Sequence, residues 1–213
     1  MASSSAVPDP RAVAAIGMVT PPDWWDLPLD PATRTDKIAE LVSRWAAKSP
    51  ELAHRAREVT DLLFQLSEDA TSGGAVFSSQ MGILSATGSL AANILVTAQP
   101  LRSTADLLTE VRQQVDPAAV INLQAPEVTT VDLTHAGRAV RRYARQVVEL
   151  AAAGGPVEGV VVQYFIPVPR SESVALVTCT APGGGDSRSA VELLDAVVGS
   201  FRFFNHDDEP IEA

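Results

Sequence analysis

Hydrophobic positions recur at helical spacing in two stretches of the first third of the chain. Ile38, Leu41, Val42 and Trp45 stand at i, i+3, i+4 and i+7, and Leu52, Ala56, Val59, Leu63 and Leu66 form a second stripe ending before Gly73-Gly74. A start signal precedes each. Asp30-Pro31 pairs an N-capping side chain with a proline whose missing N–H costs nothing in a first turn, and Ser49-Pro50-Glu51 repeats the arrangement. The pattern predicts a helix pair, or one long helix broken at Pro50.

From Gly74 the period becomes two. Ala75, Phe77, Ser79 and Met81 face one way in a first strand, and Leu90, Ala92, Ile94, Val96 and Ala98 line a second over Thr87 to Ala98. Ser103 and Asp106 resemble a capping box ahead of a short helix carrying Leu107, Leu108, Val111 and Val115. Val120 to Leu123 is a weakly marked extended segment. Val128 to Leu133 and Arg138 to Val148 read as a hairpin around Gly137, which can supply the positive φ of a tight turn. Val160 to Ile166 is apolar on both faces and suits a central strand, with Val174 to Thr180 pairing beside it. Ser189 and Glu192 form a capping box for a last helix whose stripe is Val191, Leu194, Val197, Val198 and Phe201.

The order predicts an α+β fold, an antiparallel sheet of about six strands flanked by helices with an N-terminal helix pair. Four consecutive strands without crossover helices argue against a parallel sheet. Residues 1–23, rich in Ala, Ser, Pro and Asp without a period, are expected to be a flexible N-terminal arm. Residues 24–204 form the single domain. Residues 205–213, with Asp207, Asp208, Glu209 and Glu212, are expected to be an acidic disordered tail.

The 213 residues, 46% of them hydrophobic and 20% charged, are enough for one domain with a full core. Sixteen basic against 26 acidic side chains give a net charge of −10, the wrong sign for a protein that gains affinity by neutralising phosphates. Nucleic acid and anionic membranes are therefore poor partners. Met1 to Arg11 lacks a basic stretch followed by an apolar run, and no run of about 18 apolar residues occurs, so a cytoplasmic protein without membrane insertion is expected. Cys179 is the one cysteine, which excludes an internal disulfide, and His54, His135 and His206 are scattered, so neither a metal nor a cofactor is expected.

A search for catalytic sets returns no residues. None of the histidines follows a G-x-S-x-G elbow, and Cys179, alternating with Thr178 and Thr180, reads as a small buried apolar residue. Gly183-Gly184-Gly185-Asp186 precedes a helix without a following Gly-Lys-Ser/Thr, and Asp186 would repel a phosphate, so it reads as a turn. The one basic cluster spans Arg138 to Arg145. On a strand Arg138 and Arg142 share one face and Arg141, Tyr143 and Arg145 the other. Such a strand is either solvated and salt-bridged or, through Arg141, Tyr143 and Arg145, a contact for an acidic partner. Trp24 and Trp25 either staple the arm to the helix pair or present one ring to a partner.

Further motifs carry a resemblance. Trp25-Asp26-Leu27-Pro28-Leu29-Asp30-Pro31, Gly74-Ala75, Gly137-Arg138-Ala139-Val140-Arg141, Gln163-Tyr164-Phe165-Ile166-Pro167-Val168-Pro169, Thr180-Ala181-Pro182 and the closing Leu194, Val197, Ser200-Phe201-Arg202 resemble a group of uncharacterised actinobacterial proteins. The closing strands and helix are also similar to the PsbP-like α/β/α sandwich of photosystem accessory proteins, a nuclear-transport GTPase cofactor and mycobacterial lipoproteins of the LpqN type. The resemblance implies a binding or assembly module, and some of the actinobacterial relatives lie near type VII secretion genes; unlike the lipoproteins, this chain shows no signal peptide or lipobox.

Two functions are expected from this. One is a non-enzymatic protein-binding adaptor or chaperone-like accessory protein, using Trp24, Trp25, Arg141, Tyr143 and Arg145, with another protein or a second copy of the chain as partner. The alternative is a small-molecule binding protein or minor enzyme with a pocket between sheet and helices lined by Tyr164, Arg141 and Tyr143. A pocket of about 300 Å³ or more with convergent polar groups would favour the alternative.

Overall fold

The computed structural model describes residues 13–81, 92–100, 106–114, 116, 120–150, 155–183 and 187–211. The chain runs β1 (Ala15–Gly17), β2 (Trp24–Asp26), α1 (Arg34–Ala46), α2 (Pro50–His54), α3 (Ala56–Ser72), β3 (Ala75–Met81), β4 (Ala92–Pro100), α4 (Leu107–Arg112), β5 (Val120–Asn122), β6 (Glu127–Leu133), β7 (Gly137–Leu150), β8 (Gly155–Pro167), β9 (Ser173–Pro182), α5 (Ser187–Gly199), β10 (Arg202–Phe204) and β11 (Pro210–Ile211). Eight strands make one antiparallel sheet in the order β2-β3-β4-β9-β8-β7-β5, with β6 also on β7. The fold is thus mixed α+β, a large antiparallel sheet flanked by helices. As expected, the apolar run of Val160 to Ile166 is central, between β9 and β7.

Alternation along these strands divides the core. On one face Ile94, Val96, Val160, Val162, Ile166, Val177 and Cys179 meet Leu194, Val197, Val198 and Phe201 of α5 and the segment after it. On the other face Val140, Phe165, Val174 and Leu176 pack with Val111 of α4. Trp24 belongs to the α5 side, whereas Trp25 and Leu27 join the core of α1 and α3 around Ile38, Leu41, Val59 and Leu63. The helix hairpin and α4 therefore share the face opposite α5, at opposite ends of the sheet.

Several boundaries differ from the sequence reading. The expected six strands become eight, with a second, three-stranded sheet β1-β10-β11. The additional elements are two or three residues long, too short for alternation to register. Two of them lie in the segments expected to be unstructured: Ala15–Gly17 of the arm pairs with β10, and Pro210–Ile211 of the acidic tail pairs with its other side. Trp24–Asp26, expected as a staple, is the edge strand against β3. Asp30 holds a turn, accepting from Ala32 N and Thr33 Oγ1 at 3.0 Å each, and α1 begins only at Arg34. The cap of α4 is Asp106, which accepts from Thr109 N; Ser103 lies outside the described residues. Ser189 lies inside α5, which starts at Ser187. The Gly137 turn is as read, with φ of 71° where β6 folds back into β7. Among the described residues no helix is long and apolar enough to cross a membrane.

Candidate functional site

The basic cluster lies on β7, the longest strand, and alternation separates its arginines. Arg141 points toward α5. Its Nε and Nη2 donate to Asp195 Oδ1 at 3.2 and 3.1 Å, and Nη2 also reaches Oδ2 at 3.0 Å, a forked contact. Tyr164, directly opposite on β8, donates its hydroxyl to Asp195 Oδ1 and accepts from Arg141 Nε at 3.3 Å. Burial, and then the hydrogen bond to Asp195, push the Tyr164 hydroxyl well above the ordinary phenol range, so at neutral pH it is neither nucleophile nor base. Tyr143 packs beside the core, with the Arg141 guanidinium 5.8 Å from its ring centre. Arg145 pairs with Glu158 of β8 in an exposed contact.

These three residues share the face that the sequence assigned to them, and its two arginines turn to different carboxylates, Arg141 to Asp195 and Arg145 to Glu158. Arg141 and Tyr164 are spent on Asp195, and the trio latches α5 to the sheet. Asp195 was not singled out from sequence. Its signal is a lone acid beside Leu194 on the apolar stripe of α5. Cys179, beneath this group, is fully buried, and burial pushes its thiol far above the usual range. Among the described residues no group of three or more His, Cys, Asp or Glu side chains could hold a metal ion.

The tryptophan segment is built differently. Trp24 is 8% exposed and faces the α5 core, so its ring offers nothing to a partner. Trp25, half-buried on the other side of the strand, meets Trp45 of α1 edge to face, with ring centres 5.1 Å apart. The pair sits in a groove of about 590 Å³ between β2 and α1, whose helix wall carries Lys37, Glu40, Leu41, Arg44, Trp45 and Lys48. The spacing of 3, 4, 7 and 8 residues from Lys37 places Glu40, Leu41, Arg44 and Trp45 on one stripe with it, and Lys48 lies in the turn just after the helix. Lys37 and Lys48 are the chain's two lysines, and neither they nor Arg44 makes an ion pair among the described residues. Asp23 and Asp26 stand on the strand wall. From sequence Trp25 is a candidate contact, whereas Trp45 counts only as part of the apolar stripe of the first helix and the lysines are not singled out. The stripe was legible, but that β2 would lie against it was not.

No family model matches the chain, and no curated protein matches it. Among solved structures, a point mutant of the protein Mog1 overlays with a TM-score of 0.37 at 14% identity, covering 62% of this chain and 80% of that one. The Saccharomyces cerevisiae Ran-binding protein Mog1p overlays with a TM-score of 0.33 at 15% identity, covering 59% and 77%. Overlays this partial say nothing about what this chain binds.

Proposed function

We propose that the chain is a non-enzymatic adaptor or chaperone-like accessory protein that takes an extended segment of another protein into the groove between β2 and α1. The observation that supports this reading is the set Lys37, Arg44 and Lys48, three cations that make no salt bridge among the described residues, beside an aromatic pair in an otherwise acidic molecule. The Trp25-Trp45 pair suits an apolar or aromatic side chain, and the cations suit Asp or Glu nearby.

The strand wall adds a short backbone edge. Leu27 N donates to Ser78 O at 2.9 Å, so alternation along the antiparallel pair directs the Trp25 amide and carbonyl inward and those of Asp26 outward. The Trp24 amide is taken by Pro21 O at 3.0 Å, so an incoming strand would pair with β2 chiefly at Asp26.

Random-peptide display on the full chain tests the proposal. Enriched peptides should combine an apolar or aromatic residue with a nearby acid, and the double variant Lys37→Glu, Lys48→Glu should weaken them by roughly tenfold or more. Both lysines are exposed, so folding is not at stake. An absence of enriched sequences, or enrichment indifferent to the charge reversal, would overturn it.

A further inference from the structure

Arg142, one residue beyond Arg141, points to the opposite face and into a second cavity. Its own side chain is 2% exposed. Nη1 donates to Gln163 Oε1 at 3.0 Å and Nη2 donates to Asp116 Oδ2. The same Asp116 oxygen accepts from Asn122 Nδ2 at 2.6 Å, and Asn122 Oδ1 accepts from Gln146 Nε2 at 3.1 Å. Here β7 changes partner along its edge, pairing with β6 through Tyr143 and with β5 from Gln146. The gap at that change, under α4, is a cavity of about 490 Å³ lined by Val111, Arg112, Gln114, Asp116, Asn122, Pro126, Val128 and Arg142.

The groups in this cavity are not all spent. Among the described residues both donors to Asp116 take Oδ2, which leaves Oδ1 to accept from a ligand. Arg112, at the end of α4, makes no ion pair among the described residues. A carboxylate acceptor on the floor, a free guanidinium at the rim and the apolar walls Val111, Val128 and Pro126 ask for three things in one ligand. These are a cationic donor, an anion and a short apolar body. The volume is several times that of the smallest such molecule and lies within the ordinary range of small-ligand sites.

We infer that this cavity binds an α-amino acid with an aliphatic side chain, its ammonium on Asp116, its carboxylate on Arg112 and its side chain against Val128. The site is independent of the β2-α1 groove, which lies at the other end of the sheet. It also relocates the small-molecule pocket considered from sequence, away from Arg141, Tyr143 and Tyr164 and onto the face of Arg142.

Titrating the full chain with L-leucine, with 4-methylpentanoate (which lacks the ammonium) and with isoamylamine (which lacks the carboxylate) tests the assignment. Binding is read from the side-chain amide resonances of Asn122 and Gln146. L-leucine should saturate at millimolar concentration or below, and each truncated probe should bind roughly tenfold more weakly. Arg112→Ala, at an exposed position that leaves the fold intact, should weaken L-leucine by a similar factor, and Val128→Phe, which narrows the cavity where the aliphatic side chain would lie, should weaken it as well. No perturbation by L-leucine up to about 20 mM would overturn the inference. So would equal binding of 4-methylpentanoate, or L-leucine binding indifferent to Arg112→Ala.

Discussion

Arg141 and Arg142 are adjacent on one strand, both bound to an aspartate from another part of the chain, and they lead to opposite outcomes. Arg141 keeps 16% of its side chain exposed, yet its fork closes on Asp195, and Tyr164 takes that same carboxylate. Arg142 is nearly sealed at 2%, yet its pair with Asp116 forms the floor of an open cavity. Burial of a charge therefore does not distinguish a latch from a site. What distinguishes them is the accounting of the partner's remaining lone pairs and of the space beside it. Around Arg141 a helix supplies the partner and fills the volume. Around Arg142 a loop supplies the partner, and the change of edge strand leaves the volume empty.

The largest effect that can break this comparison comes from Asp116. Asp116→Ala leaves Arg142 charged and buried with only Gln163 beside it, and should cost about 3 kcal/mol of unfolding free energy, read from urea denaturation. The double variant Arg142→Met, Asp116→Leu should restore most of that loss, because replacing both charges by apolar groups removes the desolvation penalty along with the pair. If Asp116→Ala costs less than about 0.5 kcal/mol, the pair is solvated and the cavity floor described above is wrong.

A smaller effect sharpens the other half. Tyr164→Phe removes the hydroxyl between Asp195 and Arg141 but leaves their fork, and should cost about 1 kcal/mol at pH 7. The pH dependence has a definite sign. The Tyr164 and Cys179 pKa values are both raised in the folded chain, so the fold holds protons that the unfolded chain releases. Their contribution is complete below the unfolded values of about 8.5 for Cys and about 10 for Tyr, and is lost as pH rises beyond them. Stability should therefore begin to fall near pH 9 and approach about 1.4 kcal/mol per pH unit for each group. Tyr164→Phe should flatten the limb above pH 10, and Cys179→Ala should delay its onset, both followed by urea denaturation between pH 8 and 11. An alkaline limb identical in wild type and Tyr164→Phe would show that Tyr164 is not held protonated by the latch.

The same contrast explains what could be read from sequence. Alternation alone placed Arg141, Tyr143 and Arg145 on one face and Arg142 on the other, and the apolar run of Val160 to Ile166 marked a central strand, because both follow from the period of two. The partners were hidden. Asp195 comes from a helix 54 residues away in the chain and Asp116 from a loop 26 residues away, and no local pattern specifies which acid reaches which arginine. The edge strand at Trp24–Asp26 was invisible for another reason: three residues carry no period, and their pairing with Met81, Gln80 and Ser79 is a tertiary decision. The basic cluster drew attention as a density of charge, whereas Lys37 and Arg44 of α1 and Lys48 just after it are spread along the sequence and converge only once the helix forms.

Arg145, the third arginine of the strand, supplies the control with the smallest effect. It lies on the Arg141 face and pairs with Glu158, but both side chains are about two-fifths exposed, with 42% and 40% accessible. Water screens such a pair and side-chain entropy opposes it, so Arg145→Ala should leave the urea unfolding midpoint essentially unchanged. Because Arg141 and Arg145 have the same strand, the same face and a carboxylate partner each, the difference between Arg145→Ala and Arg141→Ala measures what the cover of α5 and the Tyr164 hydroxyl add to an otherwise similar ion pair. Arg141→Ala should cost about 2 kcal/mol more than Arg145→Ala in parallel urea titrations, since it leaves both Tyr164 and a half-buried Asp195 without their cation. Equal small costs would mean that the latch holds α5 through Leu194, Val197 and Val198 alone, and that the network on β7 is solvated throughout.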